Sequence, residues 1–130
     1  MTSILVTDSD EMMCELLESR LSGQGYKVHV AKDGLQGLKL YEKVMPRLVI
    51  TDLMLPVMNG YQLIRNIKTI EKELGSQECK IIVLTGRRLE NDIETCFELG
   101  AADYVRKPFS PIELEARIRK QLSEWGNWDE

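Results

Sequence analysis

No stretch of this chain is apolar for long enough to span a bilayer. No basic segment at the amino end leads into an apolar one, so no secretory signal is predicted. Cysteine is sparse: Cys14, Cys79 and Cys96 are odd in number and lack metal-ligand spacing. They read as three reduced thiols of a cytoplasmic protein. Like charges never gather into a long block. A net charge of −4 and a pI near 5.1 argue against a nucleic-acid or membrane surface. Internal repeats, low-complexity segments and a second-domain boundary are also missing.

What is present suffices for one core. The 130 residues are 43% hydrophobic, and apolar runs alternate with amphipathic segments from end to end. Strands are predicted at Ser3–Thr7, Lys27–Ala31, Leu48–Thr51, Lys80–Thr85 and Asp103–Arg106. Ile81-Ile82-Val83-Leu84 and Leu48-Val49-Ile50 lack polar alternation, as expected of strands covered on both faces. Helices are predicted at Glu11–Gly23, Leu35–Val44, Gly60–Leu74, Leu89–Leu99 and Pro111–Ser123. Met12, Leu16, Leu17 and Leu21 mark an apolar stripe on the first, and Leu63, Ile64, Ile67, Ile70 and Leu74 one on the third. Gly23, Gly75 and Gly100 stand where C-caps are expected, and Ser110-Pro111 reads as an N-cap and first turn. His29 reads as an ordinary half-exposed strand residue. One domain covers residues 1–123; residues 124–130 leave the helical pattern and read as a tail or linker stub.

Five strands alternating with five helices predict an α/β fold, a doubly wound parallel sheet with helices on both faces. The order 2-1-3-4-5 sets the first and third strands side by side at the switch point, where ligands bind beyond the carboxyl ends. Four polar residues stand at such ends: Asp8 after I-L-V-T, Asp52 after L-V-I-T, Thr85 closing K-I-I-V-L-T, and Lys107 after D-Y-V-R. Two carboxylates, a hydroxyl and an ammonium in one crevice suit a divalent cation and a phosphoryl group.

Asp52 is the candidate nucleophile, since a carboxylate can attack phosphorus to give an acyl phosphate. The rest of such a transfer is positioning and charge neutralisation. Mg²⁺ (or Mn²⁺) prefers oxygen ligands and keeps several waters. Asp8, Asp52 and the backbone carbonyl of Met54 would hold it. Lys107 would act as a point charge on one phosphoryl oxygen and the Thr85 hydroxyl would donate to another. Pro56 and Asn59-Gly60 supply the turn chemistry of the loop after Asp52. A cis bond between Lys107 and Pro108 would aim the lysine inward.

The segments I-L-V-T-D, V-I-T-D-L-M-L-P-V-M-N-G, I-I-V-L-T-G and G-A-A-D-Y-V-R-K-P-F-S-P-I-E-L resemble the receiver domain of two-component response regulators, from about Ser3 to Leu122. The resemblance implies phosphoryl transfer to Asp52, with Mg²⁺, from a phosphohistidine of a histidine kinase or phosphotransfer protein. It implies a signalling domain with only self-directed phosphotransfer and autodephosphorylation, rather than an enzyme. Thr85 and Tyr104 match the family's switch pair, which alters the face formed by the fourth helix, fifth strand and fifth helix. On that face Asp103, Arg106, Glu113, Arg117, Arg119 and Lys120 intersperse acids and bases. Regulators that dimerise there are similar, so a homodimer is an expected partner state. An effector domain in a longer parent chain is another. Met54 and Arg87 are placed at the entrance, where the family's residues set phosphoryl lifetime; slow self-hydrolysis is expected.

One position departs from the family. Where two adjacent acids are usual, the chain reads Asp8-Ser9-Asp10. Ser9 or Asp10 then stands in for the second acid, or water does, and weaker Mg²⁺ binding is predicted. Alternatively Ser9 caps the first helix and Asp10 stands in solvent. The same departure favours a second reading, a phosphorylation-independent receiver acting as a protein-binding scaffold. A phosphatase-type hydrolase would need an acid where Met54 stands, and a flavin-binding flavodoxin type would need a Ser/Thr/Gly-rich loop after the first strand.

Overall fold

β1 (Ser3–Thr7), β2 (Lys27–Ala31), β3 (Leu48–Thr51), β4 (Lys80–Thr85) and β5 (Asp103–Arg106) form one sheet of parallel pairs in the order β2-β1-β3-β4-β5. The helices between and after them are α1 (Glu11–Gly23), α2 (Gly34–Val44), α3 (Gly60–Leu74), α4 (Glu90–Leu99) and α5 (Pro111–Trp125). The computed structural model describes residues 1–87 and 90–125, with side chains as far as Ser123. Strand spans match those read from the apolar runs. The predicted helical start at Leu89 lies outside the described residues, as do residues 126–130 of the expected tail. α5 runs on to Trp125, so the first two tail residues continue the helix.

The pleat of the sheet sends alternate side chains to opposite faces. Leu5, Val49, Ile81 and Val83 pack with Tyr41, Leu63, Ile64, Ile67 and Cys96, under α2, α3 and α4. Ile4, Val6, Leu48, Ile50, Ile82 and Leu84 pack with Leu17, Leu21, Leu114 and Ile118, under α1 and α5. The central strands are thus covered twice, which accounts for their unbroken apolar runs.

The stripe on α1 differs from expectation. Cys14, Leu17 and Leu21 are buried, while Met12 and Leu16 are exposed. The buried stripe runs through Cys14, a small apolar residue, in place of the longer Met12 and Leu16. On α3, Leu63, Ile64 and Ile67 are buried as expected, but Leu74 is exposed and Glu71 takes a core position. The Glu71 carboxylate reaches the chain opposite. It accepts from the Cys79 amide at 2.6 Å and pairs with Lys68 at 3.1 Å, while the Lys68 ammonium donates to the Cys79 carbonyl at 3.1 Å. All three cysteines are free and buried.

Candidate functional site

Backbone ladders carry the four polar residues to one level. β1 and β3 are in register through Thr7 opposite Thr51, and β4 and β5 through Thr85 opposite Arg106. Each ladder extends one residue past its last pair. The Asp8 amide donates to Ala31 at 3.0 Å, the Asp52 amide to Thr7 at 2.9 Å, and the Lys107 amide to Thr85 at 2.8 Å. Strand hydrogen bonding, rather than loop geometry, therefore sets where these side chains start. The Lys107–Pro108 bond is cis.

Lys107 joins the two carboxylates. Its Nζ lies 2.8 Å from Asp8 Oδ2 and 2.9 Å from Asp52 Oδ2. The other oxygens are held by backbone amides: Asp8 Oδ1 by Asp10 at 2.9 Å, and Asp52 Oδ1 by Leu53 at 2.6 Å and Met54 at 3.2 Å. Burial by itself lowers the Lys107 pKa, but the bonds to Asp8 and Asp52 outweigh it, so the ammonium is held above the ordinary lysine value. The loop after Asp52 folds back tightly. A Cβ on Gly60 would stand 2.2 Å from the Asp52 carbonyl, so only glycine lets α3 begin there. Asn59 caps that helix in a reciprocal box with Gln62.

Thr85 is fully buried at the end of β4. Its Oγ1 accepts from the Arg87 amide at 3.4 Å, and the Arg87 carbonyl accepts from the Tyr104 hydroxyl at 2.7 Å. Thr85 and Tyr104 are therefore linked through one residue of the β4–α4 loop. The Arg87 side chain does lie against Met54, with a nitrogen 3.7 Å from its sulfur. Its charge, however, is turned to Asp92 at the start of α4, with Nε 2.9 Å from Oδ2. The Tyr61 hydroxyl donates to the other oxygen of Asp92. These two hydrogen bonds, Tyr61 first and Arg87 second, hold the Asp92 carboxyl below its usual range despite burial. Tyr61 and Asp92 were missed in the sequence because they lie 31 residues apart and neither ends a strand.

Ser9 is exposed, and it does not cap α1. Asp10 does: its carboxylate accepts from the Met12 and Met13 amides. Among the described residues no set of three or more His, Cys, Asp and Glu converges as a metal-binding group. The donors that could serve a metal are the carboxylates of Asp8 and Asp52, already gathered on one cation, with the Met54 carbonyl in the adjoining loop. Mg²⁺ commonly binds through one or two carboxylates plus water, so this set fits it, with one acid fewer than a full site.

The family model of the response regulator receiver domain matches residues 4–119. A Galdieria sulphuraria protein described as "Probable transcriptional regulator ycf27" is 46% identical over 116 residues, covering 89% of this chain and 43% of that protein. The receiver domain of the Pseudomonas aeruginosa sensor histidine kinase PA1611, solved with magnesium in its active-site cleft, is 30% identical with a TM-score of 0.82, covering 94% of this chain and 98% of the other. The beryllofluoride-activated DrrB receiver domain is 32% identical at a TM-score of 0.82, covering 95% and 98%. The chain spans about half or less of the length of the curated relatives it matches. Among the described residues no helix is long and apolar enough to cross a membrane. By family match, strand order and the residues at the strand ends, this chain belongs to the response regulator receiver domain family.

Proposed function

We propose that this chain is the phosphoacceptor module of a two-component phosphorelay, taking a phosphoryl group on Asp52 from the phosphohistidine of a histidine kinase or phosphotransfer protein. The observation that carries this reading is the convergence of Asp8, Asp52 and Lys107 within hydrogen-bond distance at the ends of three separate strands. Asp52 Oδ1 is held by two amides, which leaves Oδ2 as the attacking atom. A bond forms from Oδ2 to phosphorus as the phosphorus–nitrogen bond breaks, and the imidazole leaves with that electron pair. Lys107 then shifts from the carboxylate to a phosphoryl oxygen, and the Thr85 hydroxyl turns to donate to another. Asp8, Asp52 and the Met54 carbonyl would hold Mg²⁺, which would supply charge neutralisation for the transferring group. The module performs only this self-directed transfer and the hydrolysis of the acyl phosphate, in which water takes the phosphoryl group as inorganic phosphate and the Asp52 carboxylate is regenerated.

Movement of Thr85 disturbs Arg87 and so Tyr104, which transmits phosphorylation to the face of α4, β5 and α5. On that face Arg117 is satisfied within the chain, by Asp103 at 2.9 Å and Glu113 at 3.0 Å. A phosphorylation-favoured homodimer there exchanges such pairs between copies. The lengths of the relatives support an effector domain in a longer parent chain. Incubation with acetyl phosphate and Mg²⁺, followed by intact mass, tests the reading. One added phosphate, abolished in Asp52→Asn, is expected. A chain that gains none would instead act as a phosphorylation-independent scaffold, the reading that the exposed Ser9 favours.

A further inference from the structure

Beside the site, the Arg87 guanidinium carries more donors than its partners among the described residues use. Its Nε donates to Asp92, while its other contact among the described residues is to the Met54 thioether, a weak acceptor. The side chain is 37% exposed. Asp92, by contrast, is 7% exposed and has both oxygens engaged, by Arg87 and by the Tyr61 hydroxyl. Met54, on which the guanidinium rests, donates its own amide to Asp52 Oδ1 at 3.2 Å. A planar fork with spare N–H groups therefore lies over the residue next but one to the nucleophile, held back by a buried carboxylate.

We propose that Arg87 is a further phosphoryl-binding residue, and that Asp92 is a positioning residue that holds it off until a phosphoryl group forms on Asp52. This rests on the phosphoacceptor reading above. An aspartyl phosphate presents three strong acceptor oxygens and negative charge at the mouth. Lys107 and Thr85 reach it from β5 and β4, and the Leu53 and Met54 amides from beneath. The guanidinium fork matches a phosphoryl edge with two parallel hydrogen bonds, which the thioether cannot offer in return. Asp92 and the phosphoryl group then compete for one cation. When the phosphoryl group wins, Asp92 keeps only Tyr61, and the start of α4 loses its tie to the β4–α4 loop.

The competition has a sign that a merely structural role for Asp92 lacks: removing the carboxylate should strengthen binding at Asp52. The test titrates beryllofluoride with Mg²⁺ and follows the bound fluoride signal by ¹⁹F NMR in the wild type, Asp92→Asn, Arg87→Gln and the double variant. Asp92→Asn is expected to bind roughly three- to tenfold tighter and Arg87→Gln weaker by a similar factor. The double variant is expected to match Arg87→Gln, because Asp92 acts through the guanidinium. A gain that persists without Arg87, or no gain in Asp92→Asn, overturns the proposal. Should Asp92→Asn fail to fold, the wild type decides: the Arg87 Nε–H resonance shifts on adding beryllofluoride if the proposal holds, and stays put if it does not. Wild type that binds beryllofluoride while that resonance is unmoved leaves the phosphoacceptor reading intact and removes only Arg87 and Asp92 from it. Wild type that neither binds beryllofluoride nor accepts phosphate removes both.

Discussion

The Tyr104 hydroxyl donates to the Arg87 carbonyl at 2.7 Å, and the amide of that same residue faces Thr85 Oγ1 at 3.4 Å. Thr85 and Tyr104 are thus wired through one peptide unit on each side of Arg87. The amide contact is long and weak, whereas the phenol contact is short. Thr85 can leave its amide at small cost, and the residue it releases is the one whose carbonyl holds Tyr104. Tyr104→Phe keeps the ring and removes the donor. It should lower the unfolding free energy by about 0.5–1.5 kcal/mol, the net worth of one hydrogen bond, as measured by urea denaturation. An unchanged midpoint would mean that the phenol contributes nothing to the resting loop.

Glu71 and Lys68, one turn apart on α3, grip the amide and carbonyl of Cys79 in the manner of a neighbouring strand. The carboxylate is 4% exposed, so its loss strands a buried amide and a lysine. Glu71→Ala should cost about 3 kcal/mol, within the range for breaking a buried pair from one side. Glu71→Gln keeps an acceptor for Cys79 and should cost less. Chemical denaturation of both variants checks the ranking, which reverses if packing rather than the polar grip matters here.

α1 and α5, which cover the same face of the sheet, are tied by the Arg20 guanidinium on the Glu115 carboxylate. The Arg20 hydrogen bond holds Glu115 below its ordinary value of 4.5, against the effect of burial. The folded protein therefore binds a proton at this site less readily than the unfolded chain. The stabilisation is present above the unfolded pKa and is lost as pH falls through the folded one. Glu115→Gln should melt below the wild type at neutral pH, and the gap should close as pH drops beneath the carboxylate range. A gap that persists in acid would assign the effect to packing.

The strands and their order were legible because double coverage leaves unbroken apolar runs, and because each candidate residue closes or directly follows one. Asp8, Asp52 and Lys107 inherit their positions from the ladder, so sequence position alone located them. What escaped depends on side-chain reach. Cys14 replaces Met12 and Leu16 in the core stripe because the helix sits rotated from the most hydrophobic line. Glu71 lies in a core position because the amide it accepts from, that of Cys79, arrives from the α3–β4 connection, which no periodicity reveals. Asp10, not Ser9, caps α1, though both residue types suit the cap. The Tyr61–Asp92–Arg87 chain joins three elements through side chains only. Val57 is a further surprise: a β-branched residue at φ 70°, in a loop where the Pro56 carbonyl accepts from the Met58 amide and from that of Gly34 at the start of α2.

With Asp10 engaged as a helix cap and Ser9 turned to solvent, the set proposed to hold Mg²⁺ is short by one carboxylate. Lys107 in turn occupies Oδ2 of both acids that remain. A divalent ion must therefore share these oxygens with an ammonium while gaining less charge than two adjacent acids provide. Ser9→Asp supplies the missing carboxylate at the start of the loop, close to Asp8. The added like charge should destabilise the metal-free protein, since the new acid meets Asp8 and Asp52 with one lysine between three carboxylates. The same charge should tighten Mg²⁺ binding by about tenfold, the effect of about 1.4 kcal/mol of extra attraction. Isothermal titration calorimetry on the two proteins measures the affinities, and melting with and without Mg²⁺ measures the cost. The variant should melt lower than the wild type without metal and gain more from its addition. Equal dissociation constants would show that water already fills the position beside Asp8 as well as a carboxylate does.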